Sequence, residues 1–258
     1  MKFFDAHCHL QFPQYDQDRD GVLTRMKDGR VGGVVIGTDL ETSKRGVELA
    51  RTQDFLWASV GLHPNDNIDE IFDEQAFEQL AQDPKVVAIG ECGLDYFRSG
   101  GTLEEKTAQQ KRFEKQIALA HKVKKTLIIH CRNAHDDVLS ILKNSQIEIP
   151  VVIHFFTGSA ELAQKYLDLG CHLSFPGPIT YTDMYDESIR IAPPNKILAE
   201  TDAPFAAPVP FRGKRNEPAF VEYVVNKIAQ VKNLQVREIS AQIILNSQRV
   251  FNIEPKQA

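Results

Sequence analysis

The chain has 258 residues, 42% of them hydrophobic and 25% charged, with a net charge of −5. That profile fits a soluble globular protein with a sizeable core and leaves no polybasic face, so any phosphate contact is expected to be local or metal-mediated. Its four cysteines include no CxxC pair and argue against a disulfide scaffold. No apolar run approaches the ~18 residues of a membrane span, and the opening MKFFDAHCHL lacks a signal-peptide pattern, so a cytoplasmic protein without membrane contact is expected.

The β-prone runs, in chain order, are KFFDAH (2–7), GGVVIGT (32–38), LWASVGLH (56–63) and KVVAIGE (85–91). TLIIHC (126–131), IPVVIHF (149–155), CHLSFP (171–176) and KILAETD (196–202) follow. Most are continuous apolar runs, the pattern of parallel strands buried on both faces. The segment 104–125 is helical, with Phe113, Ile117 and Ala120 on one stripe. A helix over 159–170 opens on a Ser159 cap and stops at Gly170, and one over 217–231 carries Pro218 in its first turn. A last helix spans 236–251. Eight strands alternating with helices predict one (β/α)8 TIM barrel domain over 1–258, with an open doubly wound sheet as the alternative.

Ionisable residues recur at the C-terminal ends of these runs: His7, His9, Glu91, His130, His154 and Asp202. In a barrel those ends converge on the face where active sites lie. Imidazoles with carboxylates suit Zn, Mn, Co or Fe, whereas a pure Mg site wants mostly oxygen. Six ligands exceed the need of one tetrahedral ion and fit two divalent ions bridged by one carboxylate, with the unshared Asp as a natural general base. His121, His135 and His172 lie outside the pattern and are read as structural.

Alternation along a strand places His7 and His9 on one face and Cys8 on the other. Cys92 follows Glu91 and Cys131 follows His130, so all three cysteines are read as small buried side chains aimed away from the ions. The loop PFRGKRNEP (210–218) holds Arg212, Lys214 and Arg215. It reads either as a phosphate-recognition cluster or as an ordinary solvated loop.

DAHCHL, VGLHP, GECGLDYFR, IIHCRNA, IHFFTGS, LSFPG, ETDAP, RGKRNEP and the late Asn246-to-Phe251 stretch together resemble the TatD family of metal-dependent hydrolases, within the amidohydrolase-like barrels. The resemblance implies a two-metal site and deoxyribonuclease activity on DNA ends. It implies one ion on His7, His9, Glu91 and Asp202 and a second on Glu91, His130 and His154. Glu91 would be the bridge, Asp202 would orient or deprotonate the attacking water, and His63 would face the substrate.

The expected function is therefore a hydrolase of ester bonds, a phosphodiesterase acting 3′→5′ on the ends of single-stranded DNA. Its expected cofactors are two divalent ions per subunit, drawn from Zn, Mn, Mg or Co, with Arg212 and Arg215 as phosphate contacts and no obligate protein partner. An amide, lactone or ester hydrolase on a small metabolite is the alternative, and a non-catalytic metal-binding protein is a third reading.

Overall fold

A computed structural model of the chain describes residues 1–65, 71–99 and 101–254. The domain expected over 1–258 thus includes residues 66–70, 100 and 255–258, which lie outside the described residues. The first half runs β1 (Phe3–Cys8), α1 (Arg19–Asp28), β2 (Val31–Ile36), α2 (Leu40–Thr52), β3 (Leu56–Val60), α3 (Glu74–Ala81) and β4 (Val86–Asp95). It continues through α4 (Leu103–Val123), β5 (Thr126–Arg132), α5 (His135–Asn144), β6 (Val151–Ile153), α6 (Ala160–Asp168) and β7 (His172–Phe175). The remainder is α7 (Asp186–Ile191), β8 (Ile197–Ala199), α8 (Val221–Lys232) and α9 (Val236–Val250).

The strands pair in parallel in the order β1 to β8. A bridge from Cys8 to Ala203 brings the last strand back to the first. This is the expected (β/α)8 barrel. All eight runs are strands, and the four helices read from periodicity are present. Among the described residues, no helix is long and apolar enough to cross a membrane.

Two apolar layers follow from strand alternation. Val35, Ile129, Ile153 and Ala199 face outward, under the helices. Val34, Ile128, Val152 and Leu198, one residue away, fill the barrel interior. The chain end closes that interior from below, with the Phe251 ring 6.2 Å from Phe4. Asn246 anchors α9 there by donating to the Pro194 and Ile197 carbonyls at 2.8 and 2.7 Å.

Simple alternation carries His130 and His154 inward, in phase with Ile128 and Val152. It would turn Glu91 outward, in phase with Ile89. A register shift between Ile89 and Cys92 reverses this. A second shift, between Asp5 and Cys8, does the same for His7 and His9. Bulges are the usual device for re-aiming side chains next to a site.

Just past the first of them, Gly93 lets β4 lie close against β5. Its φ is +132°, and a Cβ there would stand 2.1 Å from the His130 carbonyl oxygen. Gly93→Ala should therefore displace β4 from β5 and cost roughly 3 kcal/mol or more, read as a fall in the thermal midpoint. An unchanged midpoint would contradict that reading.

His172 opens β7 and belongs to none of the ion-holding groups among the described residues. Burial, aided by Lys196, lowers its pKa to about 4. The unfolded chain takes up this proton first as pH falls, near an ordinary His pKa of ~6.5. Stability should thus decline between about pH 6.5 and pH 4. His172→Gln should flatten the urea midpoint over that window, and an undiminished slope would remove His172 as its source.

Candidate metal centre

A cavity of about 510 Å³ opens at the C-terminal face of the barrel, lined in part by His9, Glu91, His130, His154 and Asp202. Glu91 is 4% exposed and is the hub. Its Oε2 lies 3.3 Å from His7 Nε2. Its Oε1 lies 2.9 Å from His130 Nδ1, 3.3 Å from His154 Nε2 and 3.6 Å from His63 Nε2. His9 Nε2 is 3.3 Å from Asp202 Oδ1 and 3.2 Å from His7 Nε2.

Burial works against the ionised form of Glu91, but His154, His63 and His7 outweigh it and hold the carboxyl well below its ordinary range. Asp202 is lowered in the same way, with His9 and His154 overcoming burial. His7 moves the other way, pushed down by burial and by His154, whose ring stacks on it at 3.6 Å.

The donor set fits divalent cations. Two imidazole nitrogens face each other at 3.2 Å, and each also meets a carboxylate oxygen at 3.3 Å. One proton cannot satisfy such a convergence of lone pairs, whereas cations of this coordination chemistry can. Three overlapping groups are compact enough to hold an ion: His7, His9 and Glu91; His7, His154 and Asp202; and His63, Glu91 and His130. His63 stands inside the cluster as well as at the mouth where the motif put it.

Several groups that hold this cluster escaped the sequence reading. Glu200, fully buried, lies 2.8 Å from His154 Nδ1 and accepts from the Phe155 backbone at 2.8 Å. Strand alternation was the available signal, since Glu200 is in phase with Leu198 and Asp202. Asp95 lies 3.1 Å from His130 Nε2, and its pKa falls to about 2 because His130 and backbone donors outweigh burial. Buried Asp5 accepts from the Thr201 hydroxyl, from Thr201 N at 2.9 Å and from His7 N at 3.2 Å, tying β8 to the histidine pair.

The helix α4 acts as a strut. Gln116 accepts from Leu62 N at 2.8 Å and donates to Leu62 O at 2.9 Å, beside His63. Two turns earlier, Gln109 pairs in the same way with the Asp95 backbone, at 2.8 and 3.1 Å.

The basic loop is placed differently from the expectation. Arg215 forks onto Asp18 at 2.6 and 2.7 Å, lies over the Tyr15 ring and reaches Glu217 at 3.3 Å. Arg212 lies over Tyr181, 4.4 Å from the ring centroid. Neither side chain lines the cavity; Arg98 and Arg132 do.

Cys8 and Cys92 are buried among apolar side chains and donate to the Val34 and Ile128 carbonyls at 3.4 and 3.5 Å. Neither belongs to an ion-holding group among the described residues. Cys131 departs from the buried apolar reading. It is half-buried, lines the cavity and sits 3.1 Å from His135 Nδ1. Burial pushes its thiol up to about 12, so it stays neutral.

Comparison with known proteins identifies the family. A family model described as TatD related DNase matches residues 4–252. A Bacillus subtilis protein named an uncharacterized metal-dependent hydrolase, YabD, is 42% identical over 97% of this chain and 99% of its own. The Escherichia fergusonii protein named 3′-5′ ssDNA/RNA exonuclease TatD is 33% identical over 97% of this chain and 99% of its own. Among solved structures, the TatD homologue YJJV from Escherichia coli superposes with a TM-score of 0.90 at 29% identity, covering 98% and 99% of the two chains. The chain belongs to the TatD family of metal-dependent hydrolases.

Proposed function

We propose that the protein is a phosphodiesterase that removes nucleotides from the 3′ ends of single-stranded DNA or RNA. The observation that carries the reading is the convergence of five imidazoles and two carboxylates at one cavity that also exposes Arg98 and Arg132. The activity named for the Escherichia fergusonii relative supports it.

His7, His9, Glu91 and Asp202 would hold one ion, and Glu91, His130 and His154 the second, with Glu91 as the bridge. His63, 3.6 Å from Glu91, is near enough to join the second. Bound there, divalent ions would acidify a water and offset charge on the phosphoryl oxygens.

The chain supplies the rest. Asp202, kept ionised by His9 and His154, takes the water's proton. Glu200 and Asp95 fix the rings of His154 and His130 from behind. Arg132, over the Phe97 ring at 3.7 Å, and Arg98 receive the phosphates upstream of the scissile bond. Arg215, occupied by Asp18, is left to hold the loop.

The test is hydrolysis of end-labelled single-stranded DNA and RNA by protein loaded in parallel with Mg, Mn, Zn and Co. Shortening from the 3′ end is expected, and inactivity on every phosphodiester with all four ions would defeat the proposal. Glu91→Ala should abolish activity and lower bound metal together. Asp202→Asn should retain much of the metal yet slow the reaction by roughly 10²–10⁴-fold. A full rate in that variant would remove Asp202 as the base. Arg132→Ala should raise KM for DNA with little change in metal content, and an unchanged KM would detach Arg132 from the substrate.

A further inference from the structure

Phe205 is 46% exposed, although Ala203, Pro204 and Ala207 around it are buried. Its backbone is firmly held. Phe205 N donates to Asp202 O at 2.9 Å, one turn away from the carboxylate. Phe205 O accepts from Asn216 Nδ2 at 2.7 Å, and the same amide donates to Thr201 O at 2.8 Å. Asn216 is fully buried and returns its own N–H to Pro204 O at 3.0 Å. A large apolar ring is thus offered to solvent from a clamped segment, at the edge of the ion-holding cluster.

The ring has an aromatic backing. Phe12 lies against it, with centroids 6.3 Å apart at 73°, and Phe12 itself stacks on His9 at 4.6 Å. Phe12, Phe205 and Ala206 line the cavity on this side and bring no charge to it. They flank β8 and β1. Strand order puts β4 and β5 diametrically across the barrel, and that opposite rim carries Arg98 and Arg132. The mouth is therefore divided, with cations on one rim, aromatic surface on the other and the carboxylate–imidazole cluster between them.

An anionic backbone belongs on the cationic rim, and a nucleobase on the aromatic one. We propose that Phe205, backed by Phe12, is the platform on which the terminal base of a single strand stacks while the preceding phosphates lie on Arg98 and Arg132. This rests on the nuclease reading given above. It adds a direction for the strand and a reason for single-strand preference. Stacking on an aromatic ring tolerates any base, because every base has a π face. A paired terminal base must first leave its partner and its neighbour, at a cost in free energy that an unpaired end avoids.

The test compares two 5′-labelled DNA oligomers, one ending in a normal 3′ nucleotide and one ending in a 3′ abasic residue. Wild-type enzyme should show a KM lower by roughly ten-fold for the base-bearing end. Phe205→Ala should bring the two KM values together, and Phe205→Trp should restore the difference. The proposal is overturned if wild type does not distinguish the ends, or if the ten-fold ratio survives Phe205→Ala. Wild type inactive on both oligomers would overturn the nuclease reading along with it. Activity with an undisturbed ratio would sink the stacking platform alone.

Discussion

A carboxylate taken out of water is tolerated only where positive charge or hydrogen-bond donors face it. Glu91 is such a group, 4% exposed with four imidazoles within 3.6 Å. The imidazoles cannot all be protonated at once, because His7 and His9 meet through their Nε2 atoms at 3.2 Å. The cluster thus brings together more nitrogen and oxygen lone pairs than shared protons can satisfy, a donor set that suits cations. Much of the architecture at this end of the barrel keeps those groups from moving apart.

The restraints come from several directions. Bulges in β1 and β4 turn the His pair and Glu91 inward against the strand phase. Glu200 and Asp95 stand behind His154 and His130. Gln109 and Gln116 reach from α4 to the backbone beside Asp95 and His63. Each amide satisfies a backbone donor and a backbone acceptor that would otherwise be buried without partners, a loss of about 1–3 kcal/mol for each. Stability and positioning thus draw on the same bonds.

Strand positions were legible because parallel strands read as continuous apolar runs, and alternation put His7 and His9 on one shared face; that this face is the inner one follows from the bulge in β1, which has no local sign in the sequence. The helices α1, α2, α3, α5 and α7 were not legible. They span 6 to 13 residues and depend on the packing they gain from the barrel more than on their own turns. Asp95 was missed because the β4 run was read as ending at Glu91, whereas the bulge lets the strand continue four residues further. Glu200 obeyed the same alternation as Asp202, but a carboxylate whose partner is another chain segment's imidazole gives no local sign of its role. Arg215 shows the converse. Its partner Asp18 is 197 residues away in sequence, so a phosphate reading and a structural reading looked alike until the fold joined them.

The seam where β8 meets β1 is the place where the barrel closes, and it is made of the backbone that carries the candidate ligands. Asp202 N donates to His7 O at 2.9 Å, His9 N to Ala203 O at 2.7 Å, and Asp5 bridges to Thr201. Opening the seam would separate His7 and His9 from Asp202 in the same motion. Cation occupancy and ring closure are then linked equilibria: whatever binds across His9 and Asp202 also fastens the first strand to the last, and by reciprocity a tighter seam raises affinity for the ion.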